Sequence, residues 1–203
     1  MDNILSNSTG SAAADIMSLS WPALEQAVNT CTRCRLSETR SKTVFGVGNR
    51  TAEWMVIGEA PGAEEDRQGE PFVGQAGQLL NAMLKAIGLT REEVYIANIL
   101  KSRPPQNRDP LPDEVAACEP FLMRQIQLIQ PKIILAVGRI AAQNLLKTDT
   151  KVSNMRGKRH VYPGSDIPLV VTYHPAYLLR KPAEKRKAWE DLKFAVRVFK
   201  GEV

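Results

Sequence analysis

Residues 53–62 read EWMVIGEAPG. Glu53–Ile57 is a five-residue run, mostly apolar and ended by Gly58, too short for a helical stripe and suited to a strand buried on both faces. The same punctuation recurs downstream. Val94–Leu100 (VYIANIL), Lys132–Val137 (KIILAV) and Leu169–Tyr173 (LVVTY) are β-rich runs. Between them, Gly77–Ile87, Pro112–Gln130 and Arg139–Leu146 carry apolar residues at helical spacing, and Pro182–Phe199 closes the chain with a long basic helix. Strands alternating with helices predict parallel βαβ units with right-handed crossovers. The expected class is α/β: three layers, with a central four-stranded parallel sheet flanked by helices. Upstream, Trp21–Val28 reads as a short helix with Ser20 as N-cap and Pro22 in its first turn. Residues 1–20, rich in Ser, Asn, Ala and Gly, are expected to be a flexible tail, and residues 21–200 one domain.

The 203 residues correspond to about one domain at roughly 150 residues each. With 43% hydrophobic and 24% charged residues, the chain has ordinary globular usage, which excludes wholesale disorder. No stretch approaches the ~20 apolar residues of a membrane span, and the N-terminus shows no secretory signal pattern. The net charge of +5 is uneven: residues 1–150 carry 15 basic and 17 acidic side chains, residues 151–203 carry 12 and 5. Such a basic C-terminal quarter suits a polyanion, as it also suits a solvated helix face.

The uncommon polar residues fall at strand ends. GEAPG (58–62) follows the first strand, Asn98 lies near the end of the second, Gly138 ends the third, and His174-Pro175 ends the fourth. Open parallel sheets bind ligands beyond the carboxyl ends of their strands, so the four ends are expected to share one cleft. Each has a plainer reading: GEAPG as a turn, Asn98 as a satisfied core amide, His174 as a structural imidazole. Their coincidence in one cleft favours function. Phe72, in PFVG (71–74), is either an anchor for its loop or a stacking platform. A carboxylate, an amide, an imidazole and a free aromatic describe a pocket for a planar heterocycle such as a pyrimidine.

Three cysteines, an odd number, do not make a disulfide framework and fit a reducing compartment. Cys31 and Cys34 have C-x-x-C spacing but precede the first strand, unlike a thioredoxin motif. Three thiolates are one short of the usual iron–sulfur set; zinc with another fourth ligand, or a buried Cys118 beside an exposed pair, are alternatives.

GEAPGAEED (58–66), PFVGQAG (71–77), VYIANILKSRPPQNRDP (94–110), HPAYLLR (174–180) and CTRCRL (31–36) together resemble the family four uracil-DNA glycosylases, the iron–sulfur members of the uracil-DNA glycosylase superfamily. The resemblance covers residues about 22–199. It implies a base-excision repair enzyme that hydrolyses the glycosidic bond of flipped-out deoxyuridine, in double- or single-stranded DNA, and leaves an abasic site. Glu59, Ala60 and Pro61 match the motif that lines the uracil pocket and positions water. Phe72 matches the stacking aromatic, Asn98 the amide that reads the uracil edge, and His174 the histidine at uracil O2. Leu178 or Leu179 matches the segment that enters the duplex. Arg156, Lys158, Arg159 and Arg180 are candidate phosphate contacts. A monomer working in the cytoplasm on nucleoid DNA, with no membrane partner, is expected.

The family pattern also implies a 4Fe-4S cluster, with Cys31, Cys34 and Cys118 matching three ligands. Where its segment reads K-C-R-P-P, this chain reads Lys101-Ser102-Arg103-Pro104-Pro105. Ser102 leaves three possibilities open: an oxygen ligand, a three-iron cluster, or a labile or empty site. The segment also lacks the basic insertion of the related subfamily that crosslinks to uracil-DNA, which favours turnover. The competing functions are a uracil-DNA binder that does not cleave and an iron–sulfur electron-transfer protein.

Overall fold

A computed structural model describes residues 15–203. The apolar runs assemble into one six-stranded sheet from β1 (Val47–Gly48), β2 (Trp54–Gly58), β3 (Tyr95–Asn98), β4 (Ile133–Val137), β5 (His160–Val161) and β6 (Pro168–Thr172), in the order β1-β3-β2-β4-β6-β5. The middle four strands run parallel, as the sequence predicts. β1 and β5 add antiparallel edges. Each edge strand is only two residues long, too short to leave an alternating pattern, and short edges of this kind limit pairing with other chains.

Helices cover both faces because successive strand residues point to opposite sides. On one side Met55, Ile57, Ala136 and Val171 pack with Leu122 and Ile126 of α4 (Pro112–Ile129) and Ala141 and Leu145 of α5 (Arg139–Leu146). On the other side Val56, Ile96, Leu135 and Val170 pack with Leu80 and Leu84 of α3 (Gln75–Ala86), and with Leu192 and Ala195 of α8 (Lys185–Phe199). A third cluster joins Leu24 and Val28 of α1 (Trp21–Asn29) to Phe45 and Phe121.

The strands end level. Gly58 pairs with Asn98, Ile57 with Ala136, and Val137 with Thr172. That register places the loops after all four parallel strands along one rim.

Some local expectations change. The first 14 residues of the expected tail lie outside the described residues, and within residues 15–20 Ile16 packs against the third cluster. Ser20 occupies the N-cap of α1 but makes no side-chain capping bond. The expected helix over 182–199 is a 3₁₀ turn at Pro182–Glu184 followed by α8. A further helix, α7 (Pro175–Arg180), starts at the proline after His174. Proline suits a first helical position because its missing N–H has no intrahelical role there.

Candidate active site

A cleft of about 750 Å³ opens at the rim where the parallel strands end. Glu59, Ala60, Pro61, Phe72, Asn98 and His174 all line it. The sequence places them far apart; the strand register brings them together.

Asn98 is the last residue of β3 and is buried, at 2% exposure. Its Oδ1 has no hydrogen-bond partner among the described residues. Buried amides are almost always satisfied, so this amide is held for something else. Gly58, paired beside it, makes the room. A Cβ there would lie 2.5 Å from Asn98 Oδ1 and 2.6 Å from Phe72 Cζ. The amide and the benzyl ring therefore meet above one residue that must be glycine.

Phe72 sits at φ +54°, a left-handed conformation that costs a non-glycine residue about 1 kcal/mol or more. Its loop is fastened from two sides. Glu65 Oε1 accepts the backbone N–H groups of Val73 and Gly74 at 3.0 and 3.1 Å, while its Oε2 accepts that of Gly62 at 3.1 Å. Arg91 donates to the carbonyls of Pro71 and Phe72 and pairs with Glu70. One carboxylate thus ties the GEAPG loop to the PFVG loop. Glu65 also occupies the third position of α2 (Ala63–Gln68), from which it reaches back to the N–H of the N-cap residue Gly62, the glutamate half of a capping box. Gly62 has no side-chain oxygen to complete the box, so the sequence carries no capping signature here.

His174 caps α7, and its ring lies 5.7 Å from that of Phe72, tilted by 30°. The Ala176 N–H donates to His174 Nδ1 at 3.1 Å. An Nδ1 that accepts leaves the neutral ring's proton on Nε2. Burial, with Arg180 adding to it, pushes the imidazole pKa down to about 4, so the ring is neutral at pH 7. Gly138 makes room for this ring: at φ +97° it lies in glycine's region, and a Cβ would sit 2.9 Å from His174 Cβ.

Glu59 follows Gly58 on the rim. Burial, and then the nearby Asp109, raise its carboxyl to about pH 7, against the opposing charge of Arg139. Asp109 and Arg139 form an ion pair at 2.5 Å, and both line the cleft. Neither stands out in the sequence, because single charges next to loop residues are common.

The expected phosphate contacts divide. Arg180 lines the cleft, and Lys158 and Arg159 are exposed beyond it. Arg156 is spent internally: it pairs with buried Asp191 at 2.9 Å, donates to the Lys187 carbonyl, and lies 5.3 Å over the Tyr173 ring. Leu178, expected with Leu179 at the duplex-entering position, is 1% exposed in the core instead; Leu179 is 41% exposed. Helical spacing turns one leucine of the pair inward and the other outward.

A second cavity lies behind the rim. Cys31, Cys34, Ser102 and Cys118 all line it, beside Arg40 and Lys101. Among the described residues no three His, Cys, Asp or Glu side chains stand close enough to hold a single metal ion. That spacing does not match a mononuclear zinc, whose sulfurs lie about 2.3 Å from one point. A cluster holds its sulfur ligands farther apart, around its own body. The surrounding charge is cationic. Lys101 is 2% exposed, and its Nζ donates to the Asn98 carbonyl at 3.0 Å and Gln125 Oε1 at 2.7 Å. Arg40 donates to Ser102 Oγ at 3.0 Å and to the Cys31 carbonyl at 2.6 Å. Neither cation has a carboxylate partner within ion-pair distance among the described residues. Thiols facing two unbalanced cations fit an anionic occupant.

A rim cleft with an unspent amide, a neutral imidazole and a restrained aromatic defines a base-recognition site on a parallel α/β sheet. The chain belongs to the uracil DNA glycosylase superfamily, whose family model matches residues 45–193. Within the superfamily it is similar to several type-4 uracil-DNA glycosylases. It is 45% identical over 172 residues to that of Archaeoglobus fulgidus, covering 82% of this chain and 86% of the relative. It is 42% identical over 177 residues to that of Sulfurisphaera tokodaii, covering 84% and 80%. It is 40% identical over 182 residues to that of Thermotoga maritima, covering 88% and 94%. Among the described residues no helix is long and apolar enough to cross a membrane.

Proposed function

We infer that the protein is a uracil-DNA glycosylase of base-excision repair, which hydrolyses the bond between uracil and deoxyribose and leaves an abasic site. The supporting observation is the buried, unpartnered amide of Asn98 beside Phe72 and His174.

Uracil in a duplex is paired and stacked, so it must leave the helix to reach these residues. Eversion costs a few kcal/mol, least at a mismatch or in a single strand. A U·G pair is therefore the easier duplex target. Leu179, the exposed leucine of α7, fills the vacated stack in this reading. Arg180, Lys158 and Arg159 supply charge for the backbone.

In the pocket, Phe72 stacks on the base. Asn98 pairs with the uracil edge and discriminates against cytosine, whose donor and acceptor pattern would leave a buried amide unmatched. Cleavage puts negative charge on uracil and positive character on the sugar. The Nε2–H of neutral His174 donates to the developing oxyanion at O2, a contribution of about 3–4 kcal/mol for a preorganised donor. Glu59, as a carboxylate, orients water toward the sugar carbon. Ala60 and Pro61 close the pocket wall behind it.

Cys31, Cys34 and Cys118 would hold an iron–sulfur cluster, which when bound supplies a structural cross-link between the segment before the sheet and α4. No step of base excision passes through it.

Purified protein incubated with a U·G oligonucleotide releases free uracil and leaves an alkali-labile site. Tight, uracil-specific binding without an abasic product would replace this reading with a non-cleaving sensor.

A further inference from the structure

Four side chains that could ligate a cluster line the second cavity, Cys31, Cys34, Cys118 and Ser102, and Ser102 marks the one corner that is not a thiol. Ser102 is 6% exposed, and its hydroxyl oxygen accepts a hydrogen bond from Arg40 Nη1 at 3.0 Å. The same guanidinium is anchored through Nη2 to the Cys31 carbonyl at 2.6 Å. Arg40 is therefore held beside Ser102 by two bonds, and one of them takes up one of the two acceptor lone pairs of the Ser102 oxygen. Iron–sulfur clusters are held by thiolates. A neutral hydroxyl bonded to a guanidinium is a poor substitute for one.

The other three corners remain suited to binding. Cys31, Cys34 and Cys118 line the same space, and Cys118 Sγ also accepts the Lys101 N–H at 3.2 Å. Among the described residues no carboxylate lies within ion-pair distance of Arg40 or Lys101, which bring two positive charges. An anionic cluster on three thiolates balances them, whereas an empty cavity leaves a buried ammonium without a counter-ion.

We propose that this is a three-thiolate iron–sulfur site, in which the Arg40–Ser102 hydrogen bond closes the fourth corner and leaves it without a protein ligand to iron. The cluster it holds is the three-iron type, and Ser102 is the residue that determines this. The proposal rests on the reading of the cysteine cavity as a cluster site.

The test is elemental and spectroscopic. Wild-type protein, freshly purified, should contain about three irons per chain and show the electron paramagnetic resonance of an oxidised three-iron cluster. Ser102→Cys should raise the iron content to about four and abolish that resonance, with uracil release within about twofold of wild type. Four irons in the wild type would overturn the three-iron assignment and leave the cluster reading intact. Iron absent from the wild type but bound by Ser102→Cys would also overturn it, by showing that three thiols do not suffice here. Iron absent from both would overturn the cluster reading itself. Uracil release in the same preparations reports separately on the excision reading.

Discussion

The two cavities share one short segment and are finished to different degrees. In the rim cleft the polar groups are already oriented: Glu65 and Arg91 fasten the Phe72 loop, Ala176 fixes the His174 ring, and Gly58 clears the space. In the cysteine cavity Cys31, Cys34 and Cys118 line one space with Arg40 and Lys101, and among the described residues neither cation has a carboxylate within ion-pair distance. Residues 98–102 serve both. Asn98 faces the cleft, Ser102 faces the cysteines, and between them buried Lys101 bonds back to the Asn98 carbonyl. The difference is between a site for transient recognition, which has to be preorganised, and a site for a permanent occupant, which need not be.

That contrast predicts opposite responses to substitution. The largest effects belong to the cleft. His174→Ala and Asn98→Ala should each lower single-turnover uracil release by about 10²–10³-fold or more, the scale of losing one preorganised donor. Iron content and melting temperature should stay near wild type. A loss of less than tenfold would remove the residue from its assigned role.

Next comes Glu59→Gln, expected to slow release by about 10²-fold. The wild-type enzyme should lose activity as pH falls through about 7, because burial raises the Glu59 carboxyl to that value and the proton-bearing form cannot align water. His174 adds no limb in this range, since its ring remains neutral down to about 4. The glutamine variant should show a flat profile across pH 6–8. Persistence of the limb near 7 in that variant would assign it to another group. The linkage to stability has the opposite sign. Between the ordinary carboxylate range and about 7, folded Glu59 holds a proton that the unfolded chain has released. Its contribution to stability is therefore lost as pH rises through that window.

The cysteine cavity should respond in stability rather than rate. Cys118→Ser is expected to lose the bound iron and lower the melting temperature by about 5–10 °C, at about 2–4 °C per kcal/mol for a domain of this size. The rate of base release from the folded fraction should change by less than about threefold. A rate loss on the scale of the cleft variants would show that the two cavities are one functional unit, joined through Lys101.

These contrasts also mark where the sequence is legible. Period and punctuation show the four central strands, because a strand buried on both faces must be continuously apolar. They miss the two-residue edges and the six-residue α7, which are too short for a period to repeat clearly. Asn98, Phe72 and His174 stand out because a polar or aromatic residue at a strand end is unusual. Glu65, Asp109 and Arg139 do not, since a charge in a loop or a first helical turn is ordinary until the fold shows what it touches. The leucine pair is a third case. Both residues read alike as letters, and only the phase of α7 separates buried Leu178 from exposed Leu179.

The smallest predicted effect separates charges that look equivalent in the sequence. Arg156, Lys158 and Arg159 form one basic run, but only the last two are free to meet phosphate. Lys158→Ala with Arg159→Ala should raise KM for duplex DNA a few-fold, leave kcat unchanged, and reduce the slope of log affinity against log salt by about one per residue removed. Arg156→Ala should leave that slope unchanged. Its guanidinium is 18% exposed and bonded to Asp191, itself 1% exposed, so its removal leaves a buried carboxylate without its cation. That loss appears as destabilisation, about 3 kcal/mol for a broken buried pair. An Arg156 variant that melts normally and loses salt dependence would place this arginine on the DNA, and Asp191 would then need another partner in the bound state.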